Sequence, residues 1–464
     1  MPNTLAYAAL LAWPAIAWAL FRVLPFERAL IWSILGGYLL LPPETAFDFP
    51  LVPPFDKSSI PNLSAFLIVT VVLGRKIPIF SGTPAIRLLL ILFVASPVAT
   101  TLLNTDPIYV GSVIVPGRPI SDAFAQLVRQ ALFLLPFFLA RRWLTTETAQ
   151  REILLALLLG GLAYSLPMLI EVRLSPQINI WVYGFFPHAF DQQIRFGGFR
   201  PVVFLTHGLV VAFFALTAVI AAFGLWRAEK AKNRGPYLLY GGYLLAVLVL
   251  CKSVGALIYA AVAVPILLFA KPRTQILIAG LLAAVVVAYP ILRGAGMIPV
   301  EAMIERAATI QEERAESLAY RLRNEAEVLA HTEQRPIFGW GGGGRNNVLY
   351  DPTAPNPDER VSYAVLDGRW IIVLSIFGWS GYMVEFGLLA LPLILLAWRT
   401  RDRVSKTISL YVGPVALILG FNVFELLPNS PLTPFTWLLA GAILGHAESL
   451  AKPAPTRKPI QTVL

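Results

Sequence analysis

The residues best equipped for chemistry gather in one stretch, 317–370. It reads SLAYRLRNEAEVLAHTEQRPIFGWGGGGRNN from Ser317, passes through a Pro/Asp-rich run from Tyr350 to Arg360, and ends on VLDGRW at Trp370. Arg314 and Arg321 lie seven residues apart, so on a helix they project in almost the same direction. A guanidinium keeps its charge and offers paired donors, which suits a phosphate or diphosphate. Pro336 stops a helix, and the glycines that follow, Gly341 and Gly342 among them, let backbone amides approach a ligand closely, with Arg345 just beyond. The alternative is a plain flexible turn, but it is not a P-loop, because no Lys-Ser/Thr follows the glycines. Asp367, at the mouth of the next apolar run, could take a proton from an incoming hydroxyl. It suits the N-cap of the following helix equally well. A second basic cluster, RFGGFRP from Arg195 to Pro201, precedes another long apolar run. Arg195 and Arg200 there suit a diphosphate, or else snorkel to lipid phosphates. His207 reads as a hydrogen-bonded packing residue, and Arg129 and Lys252 lie within or beside apolar runs, where charge is costly.

The elements that must position these groups follow from composition. Hydrophobic residues make up 57% of the chain and charged residues 14%, against roughly 45–50% and about 25% in a soluble domain. Apolar runs of spanning length recur throughout, without strand-like alternation, so the expected fold is an all-α polytopic membrane protein. Helices are expected near 5–22, 28–42, 61–74, 85–103, 121–141, 150–172, 201–226, 236–251, 254–270, 274–292, 371–398, 407–425 and 432–449. That gives about 12–13 spans. The first run has no charged n-region and no cleavage site, and reads as a membrane helix rather than a signal peptide.

The net charge of +10 is spread over short connections and reads as topology rather than as a nucleic-acid patch. Basic connections at 227–234 and 399–406, and a basic C-terminal tail, are taken as cytoplasmic. The large connection 293–370 then lies outside. From about 301 to 334 it has helix-forming composition, with Leu318, Leu322, Ala326 and Leu329 as its apolar stripe. Its arginines can alternatively pair with neighbouring glutamates on a solvated face. Cys251 is the single cysteine, which excludes an intrachain disulfide and a cysteine-based metal site.

The order of parts resembles the O-antigen ligase and O-antigen polymerase superfamily of bacterial membrane glycosyltransferases. The resemblance rests on Arg195 through Pro201 before a long helix, on SLAYRLRNEAEVL ending in RPIFGWGGGG, and on a polar motif followed by IFGWSGYMVEFGLLALPLILL. Weaker support comes from CKSVGA at Cys251 and from NSPLTPFTWLLAGAILG near the end. It implies a large periplasmic loop, a bacterial inner-membrane location with the site facing the periplasm, and transfer of a glycan from an undecaprenyl-diphosphate carrier to a glycan or lipid acceptor. No metal or other cofactor is implied, and other polysaccharide-assembly proteins are implied as partners. Arg195, Arg200 and Arg321 best match the family's diphosphate-binding arginines. The ligases' His-Asn pair before the segment matching Trp370 onward is replaced by Asp367-Gly368. That leaves the base between Asp367 and His331, and favours a polymerase-like or exopolysaccharide member. The competing readings are a transporter or flippase of a lipid-linked or anionic solute, and a catalytically inactive assembly partner.

Overall fold

The structure is a computed structural model that describes residues 1–80, 82–110, 113–309, 312–348, 364, 366–401 and 408–450. Its helices are α1 (Thr4–Val23), α2 (Phe26–Leu40), α3 (Ser59–Leu67, continued as a π-turn to Val72), α4 (Pro84–Leu102), α5 (Ser121–Trp143), α6 (Glu147–Leu174), α7 (Ile178–Tyr183) and α8 (Gly208–Ala228). They continue with α9 (Gly235–Leu250), α10 (Val254–Phe269), α11 (Pro272–Gly294), α12 (Val300–Ala308), α13 (Glu312–Thr332), α14 (Arg369–Thr400), α15 (Val412–Glu425) and α16 (Pro434–Ser449). Among the described residues sheet is confined to three two-stranded pairs: β1 (Ala46–Phe47) with β2 (Phe55–Asp56), β3 (Ile108–Val110) with β4 (Val113–Val115), and β5 (Ile194–Arg195) with β6 (Gly198–Phe199), the last of which concerns the site.

Every apolar run of the sequence forms a helix. Among the described residues seven of them, α1, α4, α5, α6, α8, α11 and α14, are long and apolar enough to cross a membrane, as a multi-pass helical membrane protein requires. The centre of the bundle is α8, whose apolar window is 89% buried against 22% for α1. It packs against α6, α9, α10 and α15, while α11 lies along α14 and α15 and α16 lies along α5. The last pair is close because Gly441 and Gly445, four apart on α16, sit directly on the α5 backbone at Phe137 and Arg141. Small residues at that spacing let two helix backbones touch.

Two local expectations are corrected. The helix expected from 201 starts only at Gly208, because Pro201 to His207 wrap a buried carboxylate instead. Glu171 of α6 accepts the amides of Val202 (2.6 Å), Val203 (2.8 Å) and Ile178 (2.8 Å), and Val203 takes a positive φ of 52° to reach it. The charged region 301–334 forms α12 and α13, with 310–311 outside the described residues. On α13 the buried face is turned from the expected stripe: Ala326 is exposed, whereas Leu322, Glu325, Val328 and Thr332 are buried. Leu318 and Leu329 are only half-buried. Most of the Pro/Asp-rich run lies outside the described residues.

Candidate functional site

The β5–β6 hairpin is closed by Phe196 and Gly197, both at positive φ (50° and 65°), the conformation that matches a two-residue turn to strand twist. Gln193, fully buried, binds the hairpin to α8: its carbonyl accepts the Arg200 amide (2.8 Å) and its Oε1 accepts the Gly208 amide (3.1 Å). From the other side Lys252, in the turn between α9 and α10, donates its ammonium to the Phe196 carbonyl (3.3 Å), and its carbonyl accepts from Arg200 Nε (3.2 Å). Lys252 thus lies in an inter-helix turn and not within a span. The arginines are delivered by a hairpin fastened at both ends.

Arg195 and Arg200 meet Arg321 of α13 around one cavity of about 280 Å³. Its wall also carries Asp367, His188, His207, and, from α15 and the segment beyond it, Asn422, Glu425 and Asn429. Arg321 Nε is 2.8 Å from Asp367 Oδ2. Gly368, not Asp367, is the N-cap of α14, and the aspartate pairs with the arginine instead. A second cavity of about 530 Å³ shares Arg195, Arg200, Arg321, Glu425 and Asn429, and is also lined by Tyr259 of α10 and Ser317 of α13. The three arginines therefore line two adjoining cavities.

His207 is the N-cap of α8; its Nδ1 accepts the Leu209 amide (3.0 Å), and the His188 ring packs edge-on at 4.8 Å. Burial pushes its pKa down to about 4, helped by His188, Arg200, Arg195 and Arg321. This imidazole stays neutral at ordinary pH with its Nδ1 lone pair occupied. Behind Asp367, burial pushes Glu325 of α13 up to about 7, against the pull of Trp370 and Arg293.

The glycine-rich segment does something else. IFGW occurs twice, at 337–340 and 376–379, and the two copies pair about a local pseudo-twofold axis. Trp340 N–H donates to Ser375 O and Gly341 N–H to Ile376 O (both 2.9 Å), while Trp379 N–H donates to Pro336 O (2.8 Å) and Ser380 N–H to Ile337 O (3.0 Å). Gly378 breaks α14 at φ 65°, ψ −166°, a region open essentially to glycine alone, and the loop supplies partners for the interrupted helix. Gly341 thus spends its amide on protein, and neither Gly341 nor Gly342 lines the arginine cavity.

Arg345 is 2% exposed and donates to the carbonyls of Asp106 (2.7 Å), Pro116 (3.2 Å) and Trp340 (3.2 Å). His331 stacks on Trp340 at 4.2 Å, with the Arg335 guanidinium 4.5 Å over that same indole. Both residues lie outside the cavity lining. Burial pushes the His331 imidazole below its ordinary value. Arg314 belongs to α13, but its side chain lies outside the described residues.

Of the groups singled out in the sequence, Arg195, Arg200, Arg321 and Asp367 are brought together, and His331, Gly341, Gly342 and Arg345 form a separate unit. His188, Asn422, Glu425 and Asn429 were missed. For the last three the signal is a glutamate closing an otherwise apolar run in FNVFELLPNSP, an acid where a membrane helix is expected to carry none; His188 carries no such signal. Among the described residues no group of three or more His, Cys, Asp or Glu side chains could hold a metal ion. Comparison with known proteins found no family model that matches this chain and no curated protein that matches it.

Proposed function

We propose that the chain is a membrane glycosyltransferase that moves a glycan from a polyprenyl-diphosphate carrier, undecaprenyl diphosphate in the bacterial case, to an acceptor hydroxyl. The observation that carries the reading is the meeting of Arg195, Arg200 and Arg321, drawn from two distant parts of the chain, on one cavity between membrane helices. A diphosphate is already a good leaving group. The protein has to hold it, stabilise its growing charge and orient one hydroxyl. Three permanent charges do the first two tasks, and Asp367 holds Arg321 at 2.8 Å. Polar side chains at Gln192, Asn422, Asn429 and Thr433 line the same cavity and suit sugar hydroxyls. The resemblance to O-antigen polymerases and ligases points the same way; on this reading the chain has about 12–13 spans and its site faces the periplasm.

The test is turnover by the purified protein in nanodiscs, supplied with a defined lipid-diphosphate oligosaccharide and followed by gel and mass spectrometry. Products at multiples of the repeat mass, absent with Arg321→Ala, support a polymerase. Donor consumption that requires a separate acceptor supports a ligase. Donor that binds without ever turning over contradicts glycosyl transfer and leaves transport as the reading.

A further inference from the structure

Two carboxylates face the arginine cavity, Asp367 and Glu425, and they are held in different ways. Asp367 is engaged by a guanidinium at 2.8 Å. Its oxygen fixes Arg321, and moving a proton onto it would weaken the grip on a diphosphate. Glu425, the last residue of α15, is held by a neutral donor: Asn429 Nδ2 lies 2.7 Å from Oε1, and Tyr259 of α10 lines the second cavity with it. Among the described residues no lysine or arginine forms an ion pair with it.

Glu425 also lines both cavities, so it sits on the boundary where a donor held from one side meets a hydroxyl arriving from the other. The other candidates are spoken for. His207 uses Nδ1 as a helix cap and His188 accepts its neighbour's amide at Nδ1 (2.8 Å). His331 lies in the glycine-loop unit, stacked on Trp340.

Building on the glycosyl-transfer reading, we propose that Glu425 is the general base of this site. The acceptor oxygen forms a bond to the anomeric carbon of the donor, and the bond from that carbon to the diphosphate oxygen breaks. Its electron pair leaves with the diphosphate, facing Arg195, Arg200 and Arg321. The hydroxyl proton passes to the Glu425 carboxylate and then to solvent through the open side of the cavity. The acidic form is disfavoured or favoured by the groups around it: Tyr259 on α10, Asn429 beyond α15, the three arginines, Asp367, His188 and His207.

The experiment compares wild type, Glu425→Gln, Glu425→Asp and Asp367→Asn in nanodiscs. It uses a synthetic polyprenyl-diphosphate oligosaccharide and measures equilibrium binding separately from turnover. Glu425→Gln is expected to lower kcat by about 10²–10⁴-fold with donor affinity within about threefold of wild type, and the acid limb of the wild-type kcat profile is expected to vanish from its residual activity. Glu425→Asp should recover part of the rate, and Asp367→Asn should keep the acid limb while weakening donor binding. A Glu425→Gln enzyme with wild-type kcat and pH profile overturns the assignment and leaves the glycosyl-transfer reading standing. Loss of donor binding by Glu425→Gln overturns it too, because the residue would then be structural. Wild type that binds donor without turnover removes both.

Discussion

Two regions of this molecule contain the same ingredients, arginines, histidines and glycines, and use them in opposite ways. Around the cavity, Arg195, Arg200 and Arg321 border open volume, with the last anchored by one carboxylate. In the glycine-rich loop, Arg345 is buried among carbonyls, His331 lies flat on Trp340, and the loop amides repair the break in α14. A buried charge whose donors end on protein carbonyls and which borders no cavity is structure. A charge that is positioned by neighbours yet still borders empty space can act on something else.

The comparison breaks or sharpens along four substitutions. Arg321→Ala should cost roughly 2–4 kcal/mol in the barrier, about 30- to 1000-fold in turnover, by analogy with losing a donor to a developing negative charge. Little change in melting temperature is expected, since its side chain is 45% exposed. Activity assays paired with thermal unfolding in detergent check both halves. Arg345→Ala should show the reverse. It strands three carbonyls, a loss of about 3 kcal/mol in stability, with the turnover of the remaining folded protein nearer wild type than that of Arg321→Ala.

Gly378→Ala tests the loop's mechanical role. A Cβ there would lie 2.5 Å from the Ile337 carbonyl on a backbone at φ 65°, so roughly 2–3 kcal/mol of destabilisation is expected, read as a lower unfolding midpoint. The smallest effect is at His207, whose folded pKa of about 4 lies below its ordinary value. As pH falls from about 6.5 toward 4, the unfolded chain takes up the proton first, so stability is lost on acidification. The loss is at most about 2 kcal/mol once partial solvent screening is allowed for. His207→Asn keeps a cap acceptor and should flatten that slope in unfolding midpoints measured across this range.

The bundle was legible because apolar runs of spanning length have few alternatives in a bilayer. The arginines at 195, 200 and 321 were legible because permanent charge beside apolar helices demands a reason. The fate of the glycine loop was not, since glycine declares conformational freedom without saying whether the backbone approaches a ligand or another backbone. The repeated IFGW was the available clue. The Pro201–His207 turn was hidden for a related reason: its sequence is helix-compatible, and only the carboxylate of Glu171, thirty residues earlier, makes the extended form better. Glu425 is a single acid at the end of an apolar run, and only its place on the lining shared with the three arginines distinguishes it from an ordinary helix terminus.

The most direct measurement of the central claim is equilibrium binding of a polyprenyl diphosphate to nanodisc-embedded protein, wild type beside Arg195→Ala, Arg200→Ala, Arg321→Ala and the control Arg345→Lys. Saturable binding that weakens by tenfold or more with each of the first three, and by less than about threefold with the fourth, is the predicted result. Affinity that is indifferent to the three cavity arginines would contradict the account.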